Sequence, residues 1–213
     1  MPFSFTNIVD TIINHIDDGL RTSFTTPNTT RDNPAQTTKE TTLTTAEQKK
    51  SCALMRINHT GEVCAQALYR GQMLVAKHHE TLTMLQTACD EETDHLAWTA
   101  QRISELNGRC SYLNLMWYIK SFCIGVIAGL AGDKLSLGFI EETELQVGRH
   151  LDNHLTKLPQ DDQKSRIIIQ QMLTDELQHA QHAKDAGGTS LPRPVRAIMA
   201  MQSKVMTTLT YVI

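Results

Sequence analysis

Apolar residues recur three and four apart over most of the chain and nowhere alternate at period two, so the pattern predicts helices and no strands. Near the start, Phe5, Ile8, Val9, Ile12, Ile13, Ile16 and Leu20 share one face of a short amphipathic helix over 1–21, read as an appended packing helix. From 22 to 45 the pattern lapses. Threonines dominate there, Pro27, Asn28, Asn33 and Pro34 interrupt, and large apolar residues are nearly absent, so the segment reads as a mobile linker. Beyond it come stretches poor in Gly and Pro and rich in Ala, Leu, Glu, Gln and Met, with helices expected at about 46–79, 81–107, 113–156 and 161–186. The third is long enough to break near Gly125, Gly129 or Gly132. Gly187-Gly188 stops the fourth, and Pro192 and Pro194 open a last helix at about 193–210. The expected architecture is all-α: a four-helix bundle within 46–213, with additional apolar helices at the two ends of the chain.

Composition narrows this picture only a little. At 213 residues and 40% hydrophobic, the chain can bury one ordinary core, and a net charge of -3 gives no basic field for nucleic acid. The five cysteines form no C-x-x-C pair and read as reduced, intracellular thiols, several of them acting as small buried hydrophobes. Acidic Asp10, Asp17 and Asp18 argue against a transit peptide, so a bacterial cytoplasmic location is expected.

The chemistry lies in two matching segments, Glu91-Glu92-Thr93-Asp94-His95 and Asp175-Glu176-Leu177-Gln178-His179, each an acid followed by Glu-x-x-His. On a helix, residues three apart sit on one face, so each segment can offer a carboxylate and an imidazole to one ion. A lone Glu-x-x-His arises easily by chance. Here each copy also follows another Glu by a similar interval, Glu62 before Glu92 (92 − 62 = 30) and Glu144 before Glu176 (176 − 144 = 32). Glu62, Glu92, His95, Glu144, Glu176 and His179 are therefore the candidate ligands of a two-metal site, a set known from ferritin-like bundles that hold two irons or two manganese ions. Four carboxylates balance two divalent cations inside a core, and hard oxygen donors with two imidazoles suit iron or manganese. Glu141 shares the face of Glu144 and stands in reserve, whereas Glu142 points elsewhere. Glu91 and Asp175 are candidates to accept hydrogen bonds from the imidazoles and fix their orientation. His59 is assigned an outer or surface role, Tyr69 a packing role, and His78, His79, His150, His154 and His182 surface or packing roles, with His150 a further reserve.

Between Leu113 and Ile140 the chain is strongly apolar, but only Ser121 to Gly132 is free of charge, short of the roughly 20 residues that span a bilayer. A second apolar stretch runs from Ala197 to Ile213. The two can be core or homo-oligomer surfaces, or together a patch that rests on a membrane and admits a lipid-like substrate.

The run Leu54-Met55-Arg56-Ile57-Asn58-His59-Thr60-Gly61-Glu62-Val63-Cys64-Ala65-Gln66-Ala67-Leu68-Tyr69 resembles the first-ligand helix of the demethoxyubiquinone hydroxylases. Glu92-x-Asp94-His95-Leu96-Ala97-Trp98, Ala128-Gly129-Leu130-Ala131-Gly132-Asp133 and Ser203-Lys204-Val205-Met206-Thr207-Thr208 resemble the bacterial branch of that family. The resemblance covers nearly the whole chain and implies a membrane-associated di-iron monooxygenase of ubiquinone biosynthesis. The family's six ligands fall on Glu62, Glu92, His95, Glu144, Glu176 and His179, and the Thr143-Glu144 context supports Glu144 over Glu141. It further implies two iron ions per chain, O2 as co-substrate, and a polyprenyl demethoxyubiquinol substrate. Electrons would come from NADH or from the quinol itself; no Gly-x-Gly-x-x-Gly motif offers a Rossmann nucleotide site. The expected location is the cytoplasmic face of a bacterial inner membrane, beside other proteins of the same biosynthesis. The competing readings are an iron store or carrier on the same bundle, a manganese catalase-like enzyme, and a metal-free structural bundle.

Overall fold

Thr44 and Glu47 open the longest helix, α2 (Thr45–Met73), with a reciprocal cap: the Glu47 amide donates to the Thr44 hydroxyl (3.3 Å) and the Thr44 amide to the Glu47 carboxylate (2.9 Å). Before it lies α1 (Phe5–Phe24), and after it α3 (His79–Glu105), α4 (Asn114–Leu130), α5 (Asp133–Lys157), α6 (Gln163–Asp185) and α7 (Arg193–Val212). The computed structural model describes residues 5–25, 27 and 29–213, with side chains from Ile13 onward. The side chains of Phe5, Ile8, Val9 and Ile12, four of the seven residues of the amphipathic face expected near the start, lie outside the described residues. Among the described residues there is no strand, as the absence of period-two patterning requires.

Four helices, α2, α3, α5 and α6, form the bundle, and their core falls into two apolar layers. Met55, Trp98, Ile103, Leu151, Ile168, Ile169 and Met172 fill one end, and Tyr69, Leu85, Leu137, Ile140 and Ala183 fill the other. Along each of the four, every candidate ligand falls between the residues of one layer and those of the other. The polar cluster is thus sealed at both ends by hydrocarbon, where charge is costly unless compensated.

This layering fixes the chain directions and explains where the expected third helix breaks. α3 ends in the first layer and α5 begins in the second, so the chain must travel back along the bundle between them. α4 makes that return, a long crossover of the ferritin-like kind, and Gly132 supplies the turn into α5 at φ 100°. One helix over 113–156 would leave α5 without its antiparallel course. The crossover lies unusually close to α2: a Cβ on Gly125 would sit 2.2 Å from the Leu68 carbonyl oxygen, and one on Gly71 would sit 2.3 Å from that of Phe122. α2 also ends at Met73, six residues before the expected boundary (79 − 73 = 6), and an irregular link leads to α3.

The Thr-rich segment, expected as a loose tether, is instead a strap fastened along the groove between α3 and α6. Thr30 and Arg31 bind Asp94, Asn33 binds Gln101, Ala35 is buried in the first apolar layer, and Glu40 pairs with the buried Arg102. Arg102 in turn holds Asp162 and Ser165 at the start of α6. Low apolar content predicted mobility, but polar contacts hold the strap. α1 leans on α4 and α2 through Gly19 against the Tyr118 ring and an Asp18–Arg70 ion pair.

Candidate metal centre

All six candidate ligands are buried, with Glu92, His95 and Glu144 at 0% exposure. Glu62, Glu92, His95 and Glu176 each offer one donor atom, and those four atoms lie within 4.8 Å of one another, close enough to share one cation. His179 and Glu144 extend the cluster on its other side. Glu92 faces both imidazoles, Oε2 lying 2.9 Å from His95 Nδ1 and Oε1 3.2 Å from His179 Nδ1. Glu176 does the same at 3.4 Å and 3.7 Å. Glu62 joins His95 Nδ1 at 3.8 Å, and Glu144 lies beside Glu176 with the Tyr69 hydroxyl donating to its Oε1. The cluster therefore has two halves, Glu62 with His95 and Glu144 with His179, joined by Glu92 and Glu176.

The outer faces of the imidazoles repeat this symmetry crosswise. His95 Nε2 is 2.9 Å from Asp175 Oδ2, and His179 Nε2 is 2.5 Å from Glu91 Oε2. Each acid that precedes one Glu-x-x-His thus meets the histidine of the other. Both Nδ1 atoms face the carboxylate cluster, and an Nε2–H donated to a carboxylate is the arrangement that fixes an imidazole for metal ligation through its other nitrogen.

The electrostatics of the cluster suit it to a cation. Burial and the neighbouring Glu92 push the Glu62 carboxyl well above the usual carboxylate range, and burial with Glu176 does the same to Glu144. Glu92 and Glu176 go the other way, held low by His95 and His179 against the cost of burial. The carboxylates outweigh burial at both imidazoles, raising His95 well above its ordinary value and His179 to about 12. Glu92 Oε1, Glu144 Oε2, both Glu176 oxygens and His179 Nδ1 are buried without a hydrogen-bond partner among the described residues. Bound metal cations would satisfy such a concentration of orphaned donor atoms, and the residues fit that group.

Several neighbours differ from their sequence-based roles. Glu141 is half-buried, and Glu142 turns to Gln146 and Arg149, so Glu144 alone of the three joins the cluster. Tyr69 is more than packing, since its hydroxyl touches Glu144. His59 is not at the surface: it is buried, with Asn114 Nδ2 3.4 Å from its Nδ1 and Cys110 Sγ 3.6 Å from its Nε2. His154 is buried as a packing residue against Asn58 and His150. Arg31 and Asp94 received no role from the sequence, yet they adjoin His95 and Asp175. No local signal distinguishes Arg31 from a solvated charge, and Asp94 was visible only as part of the Glu92-to-His95 segment.

Two cavities lie on the helices that carry the cluster, and one of them reaches it. An apolar cavity of about 140 Å³ lies among α2, α4, α5 and α7, lined by Gly61, Ala65, Trp117, Phe139, Thr143 and Met206. Gly61 and Thr143 adjoin Glu62 and Glu144 in sequence, and no cluster residue lines the cavity itself. A second, about 340 Å³, reaches Glu91 and His179 past His182 and Asp185.

With this geometry in hand, comparison with known proteins is decisive. The sequence profile of the family described as "Ubiquinone biosynthesis protein COQ7" matches residues 49–210. The chain belongs to the COQ7 family. Among its relatives, a protein of Coxiella burnetii (strain RSA 331 / Henzerling II) named 3-demethoxyubiquinol 3-hydroxylase is 54% identical over 192 residues, 90% of this chain and 89% of that protein. Proteins of the same name are 50% identical in Chromobacterium violaceum, over 96% of this chain and 99% of theirs, and 51% identical in Nitrosospira multiformis, over 95% and 98%. All six cluster residues fall inside the portion that matches the COQ7 profile.

Proposed function

We propose that this chain is an oxygen-dependent quinol hydroxylase that holds two iron ions in the buried cluster. Glu62 with His95 would hold one ion and Glu144 with His179 the other, and Glu92 and Glu176, which each face both imidazoles, would be available to either. When bound, the iron pair supplies activation of O2, so that one oxygen atom enters the ring of a polyprenylated demethoxyubiquinol and the other leaves as water with two electrons from a reductant. NADH and the quinol itself are the two candidate reductants. The observation that carries this reading is the set of partnerless buried donor atoms between two apolar layers, on a chain at least half identical to relatives named 3-demethoxyubiquinol 3-hydroxylase.

The chain's own residues do the rest. Asp175 and Glu91 keep the imidazoles turned so that Nδ1 faces the carboxylates that would hold the ions. The apolar cavity beside Gly61 and Thr143 excludes water and takes the quinol head group, and the prenyl tail runs out between α4 and α7. Ile119, Ile127 and Leu130 on α4, Ile198, Met201 and Val205 on α7, and Ile16 and Leu20 on α1 are exposed. Through these residues the chain would lie peripherally on the cytoplasmic side of a bacterial inner membrane, where its substrate would be dissolved. Among the described residues no helix is long and apolar enough to cross that membrane. Contacts with other ubiquinone-biosynthesis proteins, or with a second copy, would use what the membrane leaves free.

Metal analysis and mass spectrometry of the lipid extracted from one purified sample test the reading together. The expected result is two irons per chain with a polyprenyl quinone or quinol. Manganese, or a large shell-like assembly carrying iron without lipid, would point instead to the catalase-like or storage alternatives.

A further inference from the structure

The strap reaches the metal cluster through one side chain. Arg31 Nε donates to Asp94 Oδ2 (2.9 Å), its Nη1 donates to Asp175 Oδ2 (2.9 Å), and its guanidinium lies 4.9 Å over the Trp98 ring. The backbone beneath it is fastened as well, the Thr30 amide donating to Asp94 Oδ1 at 2.7 Å and the Thr30 hydroxyl to Oδ2 at 3.0 Å. Each of the three groups Arg31 touches bears on His95. Asp94 precedes it in the chain, Asp175 Oδ2 is 2.9 Å from its Nε2, and the Trp98 ring lies 5.4 Å from its own. Gln171 takes the other Asp175 oxygen at 2.9 Å, so that carboxylate is held from two sides. α3 and α6 carry Asp94 and Asp175, and the planar, two-pronged guanidinium ties them together where the two helices leave a groove.

We propose that Arg31 is a positioning residue for the metal centre, a clasp by which the strap fixes the orientation of His95 through Asp175 and Trp98. This rests on the reading of the cluster as a two-metal site. The chemistry requires that His95 present Nδ1 to the ion at a set angle, which follows only if Asp175 cannot swing away from Nε2. Coupling of this kind is reciprocal: if the strap orients the site, then metal in the site must tighten the strap.

The test titrates cobalt(II) anaerobically into metal-free wild-type protein, Arg31→Ala and Arg31→Lys, following affinity by calorimetry and ligand geometry by the cobalt visible spectrum. Amide hydrogen exchange of the strap is measured on the wild type with and without cobalt. Wild type is expected to bind two ions, and Arg31→Ala to lose about tenfold or more in affinity with an altered spectrum. Arg31→Lys should fall between, since an ammonium can engage one carboxylate as a point charge and cannot bridge two. In wild type, cobalt should slow exchange at Thr30 and Arg31. If wild type binds two ions and Arg31→Ala matches it in affinity and spectrum, the clasp is overturned while the metal centre stands. A variant that is merely less stable, with unchanged cobalt binding, overturns the clasp equally. If wild type binds no metal, both readings fall. Should Arg31→Ala not fold, the wild-type exchange decides, and no slowing on loading overturns the clasp.

Discussion

Loading the cluster with two divalent ions should release protons at neutral pH, because the metal-free cluster favours protonation and a metal-bound one cannot. Burial and neighbouring carboxylates push Glu62 and Glu144 up while the imidazoles hold Glu92 and Glu176 low, so protons in this coupled set are held toward Glu62 and Glu144. His95 and His179 are both raised, which favours their charged forms beside the carboxylates. Metal ligation needs every carboxylate ionised and both imidazoles uncharged. Each proton so displaced makes the product of the two binding constants rise about one decade per pH unit, roughly 1.4 kcal/mol. Calorimetry of anaerobic metal binding in buffers of different ionisation enthalpy counts the protons directly. The same groups set the sign for stability without metal. His179 contributes fully below pH 6.5, and that contribution drains away as pH climbs toward about 12, so metal-free protein should weaken with rising pH while metal binding tightens. Metal binding that releases no protons and does not tighten with rising pH would refute this charge account.

Other perturbations test the frame around the site. Burial depresses His59 and His150 to about 4 and His154 to about 3, so their contribution to stability is whole above pH 6.5 and is lost as pH falls toward those values. His154→Gln should flatten the fall in urea-derived stability between pH 6.5 and 4.5 by nearly one proton, and an unchanged slope would count against a buried neutral His154. Gly125→Ala should cost about 1–3 kcal/mol in urea unfolding because its Cβ meets backbone of Leu68, which cannot rotate away. A change under about 0.5 kcal/mol would mean that α2 and α4 separate freely. Tyr69→Phe leaves buried Glu144 Oε1 without its donor and should cost metal-free protein about 1–3 kcal/mol, measured the same way; no loss would mean the contact carries no weight.

The buried Glu/His cluster was legible because a helix converts sequence spacing into geometry. Glu92 and His95, or Glu176 and His179, can hardly avoid sharing a face once the segment is helical. The choice of Glu144 over Glu141 needed the repeat spacing, and Glu144 is the one of the two that lies fully buried beside Glu176. The break at Gly132 was one of three glycines in view, and selecting it required knowing that α3 ends at the far end of the bundle, a fact of three-dimensional topology. The strap escapes a reading of composition for a related reason. Its stability comes from Arg31 meeting Asp94 and Asp175, 63 and 144 residues away, and composition averages over a segment cannot register single long-range ion pairs. The crosswise pairing of Glu91 with His179 and Asp175 with His95 lay between these cases: the residues were in view, but which acid served which imidazole depended on how α3 and α6 face each other.

The most direct test of the central claim supplies reduced, iron-loaded protein with a demethoxyquinol under 18O2 and follows product by mass spectrometry. The expected product carries one 18O atom in the ring, and Glu92→Ala or His179→Ala yields none. Unchanged substrate, or product whose new oxygen comes from water, would contradict the assignment of this buried cluster as an oxygen-activating two-iron centre.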